Sequence, residues 1–258
     1  MPEEYITVPA VNRAIDILEY VAQSPSSVTT KDLCDALQIP TSTCFRIIKN
    51  LLARGFLIED RNTQGKYSIG FQLIRLADQT MYKLDLRTIA LPFMRQISIE
   101  TNQAVQLGVL ESAGVVYIEQ SLPLHPVSAI AESHTPVPVN ICAAGKVLCA
   151  YMPLYKQADY LRRANLAKNT QYSITDKEIL TEKLQTVLAN GYGTDEQEFS
   201  IGVGCVAVPI FNYTGRCVAA IGTTGNFADY NTPEKMEKIL KVLRPISNEI
   251  SFQLGYHS

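Results

Sequence analysis

Three helical patterns followed by two short β patterns occupy the first 70 residues, and this order restricts the fold more than any other feature of the sequence. Apolar residues with helical spacing predict the first helix: Val11, Ala14, Ile15, Leu18 and Val21. A second, short helix is expected to be capped by Thr29 or Thr30. Thr41 or Ser42 is expected to cap a third helix, which ends at Gly55.

Two β patterns, at residues 56–58 and 67–69, follow the third helix. The polar stretch between them has Gly65 near its end, which favours a hairpin turn. Three helices with a tight turn between the second and the third, followed by a hairpin, predict a winged helix-turn-helix. Taken alone, the three-helix pattern is also compatible with ordinary helix packing that has no connection with DNA.

The distribution of charge favours DNA binding. The whole chain has a net charge of −2, so a nucleic-acid site must be local. Acidic residues outnumber basic residues over 1–43, and the reverse holds over 44–75. The basic residues of this second range are Arg46, Lys49, Arg54, Arg61, Lys66 and Arg75. Positive charge therefore gathers on the predicted recognition helix and wing, where DNA phosphates would lie.

The third helix has one apolar face, with Cys44, Ile47, Ile48 and Leu51, and one outward face. The outward face and the wing supply the candidate DNA contacts, which are Thr41, Ser42, Thr43, Phe45, Arg46, Lys49, Asn50 and Lys66. The Arg46 guanidinium can bond a guanine edge in two places, and Lys49 suits a phosphate. Phe45 would touch a thymine methyl group or pack on the first helix.

Beyond residue 70 the patterns predict a connecting helix and then a mixed α and β region. The patterns along this region are two strands around Gly114, a helix after Asn140, a helix over 176–190, a hairpin around 212–215 and a last helix opened by Pro233. This order predicts an α+β domain with an antiparallel sheet.

Several segments, in this order and spacing, resemble the IclR-type bacterial transcriptional regulators. They include VNRAIDILEYVA, LCDALQIPTSTCFRIIKNLLARGFL, KYSIGFQLIRLA, ICAAGKVLCAY and NGYGTDEQEFSIGVGCVAVPIFNYTGRCVAAI, and they extend from about Val8 to Tyr256. The resemblance implies a winged helix-turn-helix domain over 1–70, a linker helix over 71–87 and a GAF-like effector-binding and oligomerisation domain over 88–258.

The resemblance also implies the partners. A ligand-responsive regulator of this kind, here expected to be a repressor, binds double-stranded operator DNA and a small organic acid. It forms homodimers, largely through the N-terminal halves, or dimers of dimers. The N-terminus lacks the pattern of a signal peptide, and the longest uncharged stretch, 199–215, is broken by glycine and proline. We therefore expect a cytoplasmic protein with no membrane partner.

The family pattern places the effector pocket at the backbone amides of Ala143 and Ala144, at the start of a helix, where an anion is favoured. The other pocket residues that the pattern implies are Asp195, Cys205, Gly222 and Thr224, and Val203 is added as an apolar wall. Gly222 departs from the pattern, since the family has a hydroxyl group there. A ligand carboxylate beside Asp195 would be repelled, so its anionic end is expected at Ala143 and Ala144.

Two other functions remain open on the residues alone. A GAF-like domain can host an enzyme with a reactive cysteine, and Cys142, Cys205 and Cys217 supply thiols. A zinc-binding sensor is the other alternative, although the Cys and His spacings match no standard site. The three histidines, His125, His134 and His257, show no motif relation to the thiols. We prefer the regulator, which is not an enzyme and needs no metal or other cofactor.

Overall fold

The computed structural model describes residues 8–60, 63–81, 85–124 and 130–257. Arg61, one of the basic residues of the predicted wing, and His125 lie outside these ranges. The chain divides into two compact units, Met1–Lys83 and Leu84–Ser258. The N-terminal unit contains, in chain order, α1 (Pro9–Gln23), β1 (Val28–Thr29), α2 (Thr30–Leu37), α3 (Thr41–Ala53), β2 (Leu57–Glu59), β3 (Lys66–Ile69) and α4 (Phe71–Met81).

The strands of the N-terminal unit form a small antiparallel sheet in the order β1-β3-β2. Gly65 adopts φ +82° in the β2–β3 turn, a conformation that glycine takes without steric cost. The Glu59 carboxylate accepts a hydrogen bond from the Gly65 amide at 2.7 Å and closes this turn. Three helices and a β hairpin confirm the predicted winged helix-turn-helix. The two-residue strand β1 was not predicted.

The ends of α2 and α3 follow from local sequence. Thr29 caps α2 in a reciprocal arrangement, because its hydroxyl accepts from the Asp32 amide and the Asp32 carboxylate accepts from the Thr29 amide. The predicted cap of α3 is wrong: Pro40 holds the cap position, and no side chain bonds the first turn. The φ of Pro40 is fixed at −57° with an extended ψ, so the helix begins at Thr41, one residue earlier than a Thr41 cap and two residues earlier than a Ser42 cap would dictate.

The core of the N-terminal unit forms where α1, α2 and α3 meet the sheet. Its most deeply buried side chains are Ile17, Leu33, Cys44, Ile48 and Leu57. Three of the residues predicted for the apolar face of α3 are buried, whereas Ile47 is half-buried and packs against the edge of this core. The opposite face of α3 is thereby left to solvent.

The C-terminal unit contains α5 (Leu86–Thr101), β4 (Ala104–Glu111), β5 (Gly114–Ser121), a 3₁₀ turn (Val139–Ile141), α6 (Ala143–Ala150), α7 (Leu154–Arg163), α8 (Lys177–Asn190), β6 (Gly193–Glu196), β7 (Val203–Phe211), β8 (Cys217–Asn226), a 3₁₀ turn (Phe227–Asp229) and α9 (Pro233–Gln253). No helix within the described ranges combines the length and apolar character that a membrane span requires.

The strands of the C-terminal unit form one antiparallel sheet in the order β5-β4-β8-β7-β6. Side chains alternate between its two faces. Val206, Val208 and Ile210 of β7 pack in one core with α5 and α9, and Ala207 packs in the other core with α6, α7 and α8. The predicted α+β architecture with an antiparallel sheet is confirmed, and the polar strand β6 was not predicted.

The cap of α2 can be tested directly. Thr29→Ala removes the side-chain acceptor of the first turn, so we expect the local stability of α2 to fall by about 1 kcal/mol. Amide hydrogen exchange along α2 should then accelerate about fivefold. Thr30→Ala is the control, because this neighbouring hydroxyl makes no hydrogen bond to any described residue. Equal exchange rates in the two variants would contradict the assignment of the cap.

Candidate functional site

The outward face of α3 carries the predicted DNA contacts. Thr41, Ser42, Phe45, Arg46, Lys49 and Asn50 are exposed, whereas Thr43 and Lys66, the latter on β3, are half-buried. Because residues three and four apart share one side of a helix, the exposed side chains form one surface that leads from the start of α3 along its length. The N-terminal unit therefore presents one basic and polar surface.

The aromatic residue of this surface is held by a cation. The Phe45 side chain is 46% exposed, and the Lys49 ammonium lies 4.7 Å from the centre of its ring. A cation over an aromatic face is stabilising, and here the two residues are one helical turn apart. The ring therefore stays on the surface of α3, where a base methyl group could reach it.

The second candidate site lies at the start of α6. All residues of this short helix are buried, and it begins at Ala143 with Cys142 in an extended conformation at the cap. No side chain of the described residues caps the first turn. The first amides of a helix have no partner within the helix, and they attract negative charge. The start of α6 therefore offers two buried amides, at Ala143 and Ala144, to an anion.

One face of the sheet lies against these amides. Gln106, Cys205, Ala207, Gly222 and Thr224 point to this face, since Gly222 pairs with Gln106 and Ala207 while Thr224 pairs with Cys205. Together with Tyr117, Ala143 and Ala144 they line a cavity of about 10 Å³. This volume is close to that of one water molecule. The structure thus brings five of the predicted pocket residues together: Ala143, Ala144, Cys205, Gly222 and Thr224.

Gly222 is explained by packing. A Cβ at this position would overlap the carbonyl oxygen of Val206 and come within 2.8 Å of the Ala207 Cβ. The strand therefore excludes a side chain here, and the hydroxyl group of the family pattern has no room. The polar contacts of the cavity must come from other residues.

Two predicted pocket residues do not line the cavity. Asp195 on β6 lies behind Cys205: one carboxylate oxygen accepts from the Cys205 thiol at 3.5 Å, and the other from the Glu198 and Phe199 amides. Val203 faces the same side of β7 as Cys205, two residues before it, and it pairs with Asn226. Asp195 thus contacts the wall of the cavity only through Cys205 among the residues that line it.

Sequence reasoning missed Gln106, which joins the cavity to Ala131 in the segment between β5 and the first 3₁₀ turn. The Thr224 hydroxyl donates to the Gln106 side-chain oxygen at 3.1 Å, and the Gln106 amide nitrogen donates to the carbonyl oxygen of Ala131 at 3.2 Å. A polar residue within the apolar run of β4 was the available signal, because a buried amide in a strand needs such partners. Tyr117 on β5 is a second missed lining residue.

A buried ion pair joins α6 to β6 and to the turn after β6, next to the candidate site. This pair was not predicted from the sequence. The Lys146 side chain on α6 is 0% exposed, and its ammonium donates to the Glu198 carboxylate and, at 2.6 Å, to the carbonyl oxygen of Thr194. These bonds attach β6 and the turn after it to α6. A lysine within the otherwise apolar segment 143–150 was the signal that could have revealed this pair.

Burial and, to a smaller extent, the nearby ion pair set the electrostatics of Asp195, which is 1% exposed. Burial raises the pKa of Asp195 to about 7, Lys146 opposes this change, and the Glu198 carboxylate reinforces it. Asp195 therefore exchanges a proton close to neutral pH. This proton lies next to the Cys205 thiol, at the edge of the cavity.

The thiols favour neither of the alternative functions. Burial raises the pKa values of Cys142 and Cys217 to about 12, and it raises the pKa of Cys205 well above its usual range. A thiol in this state is protonated at neutral pH and is a weak nucleophile. Within the described ranges, no group of three or more His, Cys, Asp or Glu side chains could hold a metal ion.

Comparison with known families agrees with both halves of the chain. The profile of the IclR helix-turn-helix domain matches residues 10–61, and that of the bacterial transcriptional regulator IclR C-terminal domain matches residues 78–252. The chain belongs to the IclR family. It is a transcriptional regulator with a helix-turn-helix domain and an effector domain, which confirms the resemblance seen in the sequence.

Individual relatives extend over nearly the whole chain. The transcriptional repressor AllR of Klebsiella pneumoniae is 28% identical over 246 residues, covering 95% of this chain and 90% of AllR. The crystal structure of the repressor BlcR of Agobacterium tumefaciens is 26% identical with a TM-score of 0.74, covering 97% of this chain and 98% of BlcR. An IclR homologue from Microbacterium hydrocarbonoxydans, solved with 4-hydroxybenzoate, is 25% identical with a TM-score of 0.60, covering 95% of this chain and 98% of that protein.

The buried ion pair generates a stability prediction. Lys146→Met leaves the Glu198 carboxylate buried without its counter-ion, which should lower the free energy of unfolding by about 3–5 kcal/mol. The double variant K146M/E198Q should recover part of this loss, because the uncompensated charge is gone. Urea denaturation followed by far-UV circular dichroism measures both.

The matched control is Lys183→Met. Lys183 pairs with Glu196 at 3.3 Å, but both side chains are partly exposed. Such a pair contributes at most about 1 kcal/mol, so the control should remain close to wild type. A loss in K146M no larger than that in K183M would show that the buried pair does not hold the site together.

Proposed function

We propose that this regulator is a repressor that binds operator DNA through α3 and the wing, and that a small organic acid bound at the start of α6 controls this binding. The observation that carries the proposal is the buried polar cavity beneath the uncapped amides of Ala143 and Ala144. The relatives AllR and BlcR, which are named as repressors, support the direction of regulation.

The exposed surface of α3 supports the role in DNA binding. Arg46 lies on the exposed face, one turn after the start of α3, where a recognition helix entering the major groove places its base contacts. We assign base contacts to Arg46 and to neighbours on the same face: Thr41, Ser42, Thr43, Phe45 and Asn50. Lys49 and Lys66 are assigned to phosphates, since flexible ammonium groups act as point charges.

The exposed apolar face of α1 supports assembly as a homodimer, either alone or as half of a dimer of dimers. Val11 and Ile15, four residues apart on α1, are 54% and 48% exposed, and Val8 lies one turn before Val11. This stripe borders a groove of about 530 Å³ between α1 and α3. A second copy docked on this stripe, clear of Thr43, Arg46 and Asn50 on the α3 wall of the groove, would cover the apolar side chains of α1 and would set the spacing of two recognition helices on the operator.

The closed cavity explains how an effector could change the protein. A cavity of about 10 Å³ is too small for an organic acid. A larger cavity, of about 370 Å³, lies between residues 130–138 and Phe199, and Ala131 lines it. The Gln106–Ala131 hydrogen bond thus connects the walls of the two cavities. We propose that the acid enters by displacing this bond, so that the bound state differs from the free state in the position of Ala131.

Arg46→Ala tests the DNA contact. Losing a bidentate base contact should cost about 1–3 kcal/mol and relax the preference for one base pair. The measurement is a fluorescence anisotropy titration with a duplex that the wild-type protein itself selects from genomic fragments.

The charge-matched control is Arg95→Ala, which removes one exposed guanidinium from α5 in the other unit. Operator affinity should be unchanged in this control, and circular dichroism should show both variants folded. Wild-type affinity in R46A would refute the assignment of α3 as the reading helix.

Asp195→Asn tests the effector site through pH. Because the pKa of Asp195 is raised to about 7, its carboxyl is neutral below this pH and charged above it. A carboxylate ligand should therefore bind more weakly as the pH rises, by as much as about tenfold for each pH unit above 7. In D195N the affinity should be nearly constant between pH 6 and pH 8, as measured by thermal shift with 4-hydroxybenzoate and pyruvate as probes.

Glu196→Gln is the control for this experiment. Glu196 is adjacent in the chain but partly exposed and paired with Lys183, so its variant should keep the pH dependence of the wild type. The charges that face Asp195, on Lys146 and Glu198, are unchanged in both variants. If D195N and the wild type have identical pH profiles, Asp195 does not contribute to the effector site. If neither small carboxylate stabilises the protein, the proposal of an organic-acid effector is refuted.

A further inference from the structure

Two glutamine side chains on neighbouring strands bond the same carbonyl group. Gln106 on β4 and Gln120 on β5 are directly paired in the antiparallel register, and side chains paired in this way point to the same face of a sheet. The Gln120 amide nitrogen donates to the carbonyl oxygen of Ala131 at 2.7 Å, and the Gln106 amide nitrogen donates to the same oxygen at 3.2 Å. A carbonyl oxygen has two lone pairs and can accept both bonds. The Ala131 carbonyl is therefore attached to two strands at once.

The two glutamines differ in their other contacts. Gln106 is buried, its side-chain oxygen accepts from the Thr224 hydroxyl, and it lines the cavity at the start of α6. Gln120 is half-buried and is not among the residues that line this cavity or the larger one beside Ala131. A ligand that replaces the Gln106 bond from inside the cavity therefore leaves the Gln120 bond in place.

The rest of the segment 131–137 is attached to the backbone of β5. Val137 and Val115 exchange two backbone hydrogen bonds of 2.8 Å, and the His134 amide donates to the carbonyl oxygen of Tyr117 at 3.1 Å. These bonds do not depend on side chains. At Ala131, by contrast, the hydrogen bonds from the described residues come from two side-chain amides. Ala131 is thus the end of the segment that can be released while Val137 stays on the sheet.

We propose that Gln120 is a positioning residue that sets the sensitivity of the protein to its effector, because it holds Ala131 on the sheet without touching the effector. This inference rests on the proposed function, in which the acid moves Ala131. Both hydrogen bonds must break before Ala131 can leave the sheet, so the acid must offset the loss of the Gln120 bond as well. The apparent dissociation constant equals the intrinsic one divided by the fraction of open protein. Any change that raises this fraction should raise the apparent affinity by the same factor.

Gln120→Met tests the attachment in the absence of ligand and DNA. This variant removes the amide and nearly keeps the length of the side chain, so the open fraction should rise about fivefold through the loss of one hydrogen bond. Because His134 lies between Ala131 and the bridge at Val137, its amide should exchange hydrogen about fivefold faster, while the Val137 amide is unchanged. An unchanged rate at His134, or equal acceleration of both amides, would overturn the proposal.

Ser121→Ala is the matched control for this experiment. Ser121 is the next residue of β5 and lies on the opposite face of the sheet, where it pairs with Val105. Its hydroxyl makes no hydrogen bond to any residue that the structure describes. Exchange at His134 should therefore be the same in S121A and in the wild type. The same acceleration in S121A as in Q120M would assign the effect to a general loosening of β5 and would contradict the role of Gln120.

Calorimetric titration with pyruvate and 4-hydroxybenzoate measures the sensitivity itself. For a probe that binds the wild type, the dissociation constant should fall about fivefold in Q120M and stay the same in S121A. A side chain that only supports the fold would not strengthen binding when it is removed, so equal or weaker binding in Q120M would overturn its role in sensitivity. Absence of binding to the wild type would refute the proposed effector site and this role with it, whereas the exchange rates would still show whether Gln120 holds Ala131.

Discussion

The effector unit depends on one ammonium group that is shielded from water. A charge as deeply buried as that of Lys146 is tolerated only when it is paired and hydrogen-bonded, because its desolvation costs several kcal/mol. The Glu198 carboxylate and the Thr194 carbonyl meet this requirement, and both come from β6 and the turn that follows it. The polar edge strand is thereby held against α6. Asp195 occupies its place behind Cys205 as a result, and the raised pKa of Asp195 reflects the same dry environment.

The sequence predicts the parts of this fold that repeat with a clear period. Apolar spacings or turn residues predict the helices α1, α8 and α9 and the β7–β8 hairpin without a good alternative structure. All four elements are present in the structure. The strand β6, by contrast, has the sequence GTDE, with no apolar alternation, and it forms only because β7 and Lys146 provide partners from elsewhere in the chain. The cap at Pro40 was missed for a local reason, since the backbone of proline outweighed two good capping hydroxyls.

The two candidate sites also differ in whether local sequence or contacts between distant residues define them. The outward face of α3 follows from helical spacing alone, and exposure agrees with it. The cavity at the start of α6 combines β4, β5, α6, β7 and β8, and the family pattern supplied only some of its residues. Gln106 and Lys146 carry no motif. Each is a polar residue inside an apolar segment, and its partner lies 25 or 48 residues away in the chain. Only the folded structure shows which partner satisfies each one.

A cavity that is closed in the absence of ligand has a thermodynamic consequence for regulation. An effector changes an equilibrium between two states only by the difference in its affinity for them. An acid that bound equally well to both states would shift nothing, however tightly it bound. In the mechanism that we propose, the acid breaks the Gln106–Ala131 bond and opens the space that it occupies, so it binds only the opened state. The energy that opens the cavity lowers the apparent affinity by the fraction of open protein, and the difference between the acid's affinities for the opened and the closed state sets how far it can shift the DNA-binding equilibrium.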